Sequence, residues 1–189
     1  MEKLAEKIKN SIYKNNPGLT IQQTETIKFG LECTLNEASK IVIYFIIFAV
    51  LSLTGHYLVA LIFFCFSRIF AGGYHAETYL ACLVITFFIL SIGIFTGSQF
   101  GLPFAVRIFL QLVSILLAWI YAPVDHPNKP IIDLERRKRF KHLSVAVFII
   151  LAGFTFMLEA RLAATAVMIL FLEALSLPVG QIAKRRVSV

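Results

Sequence analysis

"PFAVRIFLQLVSILLAWIY", residues 103–121, carries a single charge, Arg107, in an otherwise apolar run. A helix needs about 20 mostly apolar residues to cross the hydrocarbon of a bilayer, so this stretch reads as a membrane span. Five more apolar segments lie near residues 41–54, 57–70, 79–96, 143–158 and 161–183. The last qualifies as fully as 103–121, and 79–96 nearly so. The other three are short, so they recruit flanking residues, thin the bilayer locally or stop short of spanning. A four-span arrangement with 57–70 re-entrant therefore stands beside the six-span one.

Composition supports lipid as the surrounding solvent. Of 189 residues, 58% are hydrophobic and 15% charged, with a mean hydropathy of +0.80. One soluble core of that size could not hide so much apolar surface. The net charge of +7 does not point to nucleic acid, because the positive residues fall in three places: the first 40 residues, 129–141, and the last six. With the N-terminus inside, six spans put residues 1–40, 71–78, 122–142 and 184–189 in the cytoplasm. Those regions hold 15 of the 18 Lys and Arg residues, and the outer connections near 55–56, 97–102 and 159–160 hold none. That distribution follows the positive-inside rule. The sequence is thus read as an all-α, polytopic membrane helix bundle of about six transmembrane segments, a single domain over 1–189. Residues 1–40 form an amphipathic region, 41–183 the bundle, and 184–189 a basic tail. No apolar run begins before Ile41, so the first span is expected to serve as the targeting signal.

In the N-terminal region, Leu4, Ile8 and Ile12 recur at four-residue spacing among Lys and Glu, the pattern of a surface-lying amphipathic helix. Pro17-Gly18 breaks it. Thr20 and Gln23 then have the form of a capping box. They open a second helix, with Ile27, Leu31, Leu35 and Ala38 on one face, expected to lie at the interface or beneath the bundle.

Two charges sit inside apolar segments, at a cost of a few kcal/mol each unless they pair or snorkel. Arg107, four residues from Pro103, can reach the outer interface. Glu173 has no such exit and is read as a hydrogen-bonded or ion-paired group within the bundle, with substrate contact as the alternative. Arg68 closes the second apolar segment. It reads either as a snorkelling anchor or as a donor to a carbonyl, carboxylate or oxyanion.

The chemistry-bearing stretch is "RIFAGGYHAETYLACLV", residues 68–84. On one continuous helix, His75 and Cys82 would share a face yet lie roughly 10 Å apart along the axis, too far for a base to reach a thiol. A catalytic pair therefore requires the helix to start after His75. Gly72-Gly73 offer the backbone freedom for a fold-back, and Thr78 suits an N-cap. Cys82 would then lie in the first or second turn, where the helix dipole and an imidazolium favour thiolate. The bland reading is a small core cysteine and a solvated boundary histidine; spacing alone leaves both open. Cys33, Cys65, His56, His126 and His142 are read as ordinary residues. The three cysteines lack the spacing of a disulfide framework or a zinc site. Between the fourth and fifth segments, "YAPVDHPNKPIIDLERRKRFKH" begins with three prolines and ends strongly cationic. It suits anionic lipid heads, an acidic peptide partner, or both.

These pieces together resemble the AgrB family, the accessory gene regulator B membrane endopeptidases of Gram-positive quorum sensing. The resemblance spans nearly the whole chain, and "RIFAGGYHAETYLAC" and "YAPVDHPNKPI" carry it most specifically. It implies that Cys82 is the nucleophile and His75 its general base and acid. Arg68 and Gly73 become supporting positions, and Lys129 corresponds loosely to the family's basic stretch. The implied reaction cleaves an AgrD-like propeptide through a Cys82 thioester. A propeptide cysteine or serine then closes a thiolactone or lactone. No cofactor or metal is implied; the expected partners are the propeptide, membrane lipids and a second copy in a homodimer, at the plasma membrane with both termini and the site on the cytoplasmic face. The rival expectations are a non-enzymatic membrane scaffold or small transporter component, and a membrane protein acylated at Cys82.

Overall fold

The computed structural model describes residues 2–16, 18–74, 78–124 and 133–187. Among these residues, seven α-helices run in chain order: α1 (Glu2–Asn15), α2 (Ile21–Val50), α3 (Thr54–Ala71), α4 (Tyr79–Phe95), α5 (Phe104–Tyr121), α6 (Leu134–Phe154) and α7 (Ala160–Val187). A π-helical turn, Thr96–Phe100, extends α4, and a 3₁₀ turn, Thr155–Met157, extends α6. Among the described residues there is no strand, only an isolated parallel bridge between Gly72 and Val124.

Among the described residues, six helices are long and apolar enough to cross a membrane: Gln22–Val50, Thr54–Ala71, Tyr79–Phe100, Phe104–Tyr121, Leu134–Met157 and Ala160–Ala183. The protein is a multi-pass membrane protein. The segments read as short gain length in three ways. Residues 57–70 extend to the 18-residue helix α3. The first span is continuous with the helix before it, so the interfacial helix and the first span read separately are one helix of 30 residues. The fifth reaches back to Leu134, because the cationic stretch is itself helical: Arg, Lys and Glu are good helix formers, and the Asp133 carboxylate caps the Glu135 N–H at 3.0 Å.

Contacts divide the chain into two compact units, Met1–Val50 and Leu51–Val189. In the first, α1 packs on α2. The expected capping box is present: Gln23 accepts from the Thr20 N–H at 2.9 Å, and the Thr20 hydroxyl accepts from the Gln23 N–H at 3.2 Å. In the second, α7 is the central helix, packed on α3, α4 and α5, while α6 packs on α3 and α5. The α7 span is 56% buried, against at most a third for each of the other spans. Its first half explains why: Ala163, Ala164, Thr165, Ala166 and Val167 present small side chains on all sides. Small residues let helix backbones close in where lipid gives no hydrophobic drive for association. Gly93 and Gly97 of the α4 arm do the same, since a Cβ on Gly97 would lie 2.0 Å from the Thr165 hydroxyl. Outside, the bundle is greasy: Phe66, Ile69, Phe88, Leu116 and Ile149 are exposed.

Candidate functional site

Three pieces of chain converge at the end of α3: the Gly72–Tyr74 turn, the Tyr121–Val124 stretch after α5, and the second half of α7. The α3 helix stops because Gly72 takes φ 73°, closing its N–H onto the Arg68 carbonyl at 3.0 Å. Gly73 follows at φ 144°. Both values suit glycine and few other residues. Space makes the same demand. A Cβ on Gly72 would sit 1.9 Å from the Val124 carbonyl oxygen, and one on Gly73 would sit 2.7 Å from the Ser176 hydroxyl. Gly180 of α7 supplies the matching notch, its own virtual Cβ only 3.1 Å from the Gly73 carbonyl carbon and the Tyr74 nitrogen.

Hydrogen bonds hold the convergence. Val124 N–H donates to the Ala71 carbonyl at 2.9 Å. The Gln181 amide donates to the Tyr121 carbonyl at 2.6 Å, tying that stretch to α7. The Ser144 hydroxyl of α6 donates to the Phe70 carbonyl at 2.8 Å. Parts of the two most specific stretches, "GGY" from the first and "YAPV" from the second, are therefore neighbours in space, joined through Gly72 and Val124.

Arg68 turns inward from the last turn of α3. Its Nη1 donates to both Glu173 carboxylate oxygens, at 3.1 and 3.2 Å, and its Nη2 donates to the Tyr74 carbonyl. The guanidinium also lies over the Phe64 ring, 5.1 Å from its centroid. The Glu173 side chain is 2% exposed and that of Arg68 14%. Glu173 is thus the ion-paired group expected of it. Arg68 is not a snorkelling anchor but an internal donor, and one of the carbonyls it binds belongs to its own chain. Arg107 behaves differently, stacking on the Phe104 ring 5.6 Å away, one turn nearer the start of α5.

On the far side of residues 75–77, α4 begins as its sequence demands. Thr78 is the N-cap, with an extended backbone, and its hydroxyl accepts from the Ala81 N–H at 3.2 Å. Cys82 is the fourth residue of α4, and its N–H closes the first turn onto the Thr78 carbonyl at 3.0 Å. The thiol-bearing residue is half-buried, and none of the three cysteines forms a disulfide. The helix therefore starts after His75, the condition that a histidine–cysteine pair requires. His75 and Lys129 themselves lie outside the described residues. Arg68 and Gly73 are brought together, the Arg68 Nη1 lying 3.6 Å from where a Gly73 Cβ would be.

Sequence reasoning missed the α7 side of this site: Ser176, Gly180, Gln181 and the pairing of Glu173 with Arg68. A signal was available. Two opposite charges embedded in apolar segments are candidate partners, and Glu173, Ser176 and Gly180 recur at helical spacing on one face. The remaining histidines with described surroundings lie elsewhere, His56 bonded to the Thr165 hydroxyl at 2.8 Å and His142 edge-on to Trp119.

The profile of the accessory gene regulator B family matches residues 2–177. An AgrB-like protein of Clostridium beijerinckii is 27% identical over 73% of this chain and 70% of its own length. AgrB-like proteins of Clostridium acetobutylicum and Lactiplantibacillus plantarum are 26% and 27% identical, over 88% and 90% of this chain and 79% and 85% of theirs. No solved structure matches.

Proposed function

The chain belongs to the accessory gene regulator B family, and from that premise we propose that it is a membrane cysteine endopeptidase that matures an AgrD-like propeptide for quorum sensing. Cys82 is the nucleophile and His75 its general base and acid, at the cytoplasmic face of the cell membrane. The observation that carries this reading is the pair of anchors flanking His75 in the chain. Arg68 and the two glycines fix the backbone up to Tyr74, and the Thr78 cap restarts it with Cys82 in the first turn of α4.

Chemically, His75 takes the thiol proton as the Cys82 sulfur attacks a backbone carbonyl of the propeptide. The tetrahedral intermediate collapses with cleavage of the C–N bond, and the imidazolium returns its proton to the departing amine. The N-terminal part of the peptide is left as a thioester on Cys82. A cysteine within that part then attacks the thioester carbonyl, its thiol proton passing through His75 to the departing Cys82 sulfur, and a thiolactone ring closes; a serine would give a lactone by the same proton transfer. One thioester replaces another, so ring closure needs no external energy source. Lipid around a half-buried thiol limits hydrolysis of the intermediate.

The test is cleavage of the propeptide in vesicles that contain the purified protein. His75→Ala and Cys82→Ala are each expected to lower the cleavage rate about a hundredfold or more, with the folded bundle intact. Wild-type cleavage by one of these variants would show that the residue it lacks carries no chemistry.

A further inference from the structure

We infer that Glu173 is a positioning residue for this reaction: it aims Arg68 at the Tyr74 carbonyl and so fixes the backbone that enters His75. The inference rests on the endopeptidase reading and extends it to α7. Its basis is how the guanidinium is divided. Both Glu173 oxygens lie on Nη1, at 3.1 and 3.2 Å, so Nη2 is left to the Tyr74 carbonyl. That carbonyl belongs to the peptide bond whose nitrogen is that of His75. A planar guanidinium held at one edge presents its other edge in a fixed direction, which a lysine ammonium could not do.

Glu173 does not act alone on α7. Ser176 and Gly180 follow it at helical spacing. Ser176 places its hydroxyl where a Gly73 side chain would be, and Gly180 gives up its own Cβ to the Gly73–Tyr74 backbone. Carboxylate, hydroxyl and notch together form a mould for the turn. If the pair served stability alone, apolar side chains would serve as well or better, because desolvating two charges offsets much of their attraction. A charge pair that also holds a backbone carbonyl has a use that an apolar pair lacks.

Glu173→Gln keeps the side-chain volume and one acceptor while removing the charge. Arg68→Met/Glu173→Leu removes both charges, so no charge is left stranded. Both are placed in vesicles beside the wild type, with propeptide kinetics and hydrogen–deuterium exchange of residues 72–82 as readouts. Glu173→Gln is expected to lower kcat about tenfold or more with KM little changed, and to speed amide exchange at Gly73 and Tyr74 but not in the centre of α7. The double variant is expected to be folded and equally slow, and it decides the matter if Glu173→Gln does not fold. Wild-type kcat in a folded variant, or slow turnover with unchanged exchange in the turn, would overturn the inference. A wild type that exchanges normally but cleaves nothing would instead sink the endopeptidase reading, while the exchange comparison would still report whether Glu173 holds the turn.

Discussion

Two of the protein's groups of ion pairs have similar distances and differ in how far the carboxylate is exposed. On the α1–α2 unit, Lys9 reaches Glu6 at 3.0 Å and Glu25 at 3.2 Å, and Lys28 reaches Glu6 at 2.8 Å. In the bundle, Arg68 reaches Glu173 at 3.1 Å with almost no exposure of the carboxylate. Geometry alone would rank the pairs as equals. Water decides otherwise, because a carboxylate that stays partly in water exchanges solvation for a contact of nearly equal worth, whereas a buried charge that loses its partner has nothing to replace it. The first set ties two helices together. The second sets the direction of a donor to the Tyr74 carbonyl.

The largest effect should follow from stranding one buried charge. Glu173→Ala is expected to destabilise the Leu51–Val189 unit by about 3–5 kcal/mol, read as a lower midpoint of thermal unfolding in detergent. An unchanged midpoint would mean that Arg68 finds water or another partner, and the contrast between the two regions would fall. Next comes Gly72→Ala, which forces a Cβ into the Val124 carbonyl at positive φ. Strain of about 1–3 kcal/mol is expected, with the Val124-to-Ala71 hydrogen bond lost first and detected as faster exchange of the Val124 amide. Thr78→Ala removes the α4 cap for about 1 kcal/mol, so exchange at Ala81 should rise and the global midpoint should fall less than for Glu173→Ala.

The smallest effect belongs to the α1–α2 set, whose carboxylates are partly exposed. Lys28, and after it Lys9, hold the Glu6 carboxyl below its ordinary value of 4.5. A depressed carboxyl contributes stability above its unfolded-state pKa and loses it as pH falls through the folded one. The α1–α2 contact should therefore loosen below about pH 4.5, and Glu6→Gln should remove that pH dependence while leaving the bundle midpoint where it was. Measuring α1 amide exchange against pH checks both arms.

These contrasts also explain what could be read from the residues. The six apolar segments, the Thr20–Gln23 box and the Thr78 cap were legible because each depends on neighbours close in sequence. The same holds for the start of α4 after His75. The continuity of α2 through Lys40 was not, since a charged residue between a polar stretch and an apolar one reads as a boundary. Nor was the α7 side of the site. Glu173 lies 105 residues from Arg68, and α7 is apolar nearly all round, so periodicity does not single out the face that meets the turn. Only its misplaced charge marked it.

The most direct measurement of the account is mass spectrometry of the protein after co-expression with its propeptide. A hydroxylamine-labile peptide adduct confined to Cys82, absent from Cys82→Ala and lost with His75→Ala, is the predicted result. Unprocessed propeptide and an unmodified Cys82, in a protein shown to be folded and inserted in the membrane, would contradict it.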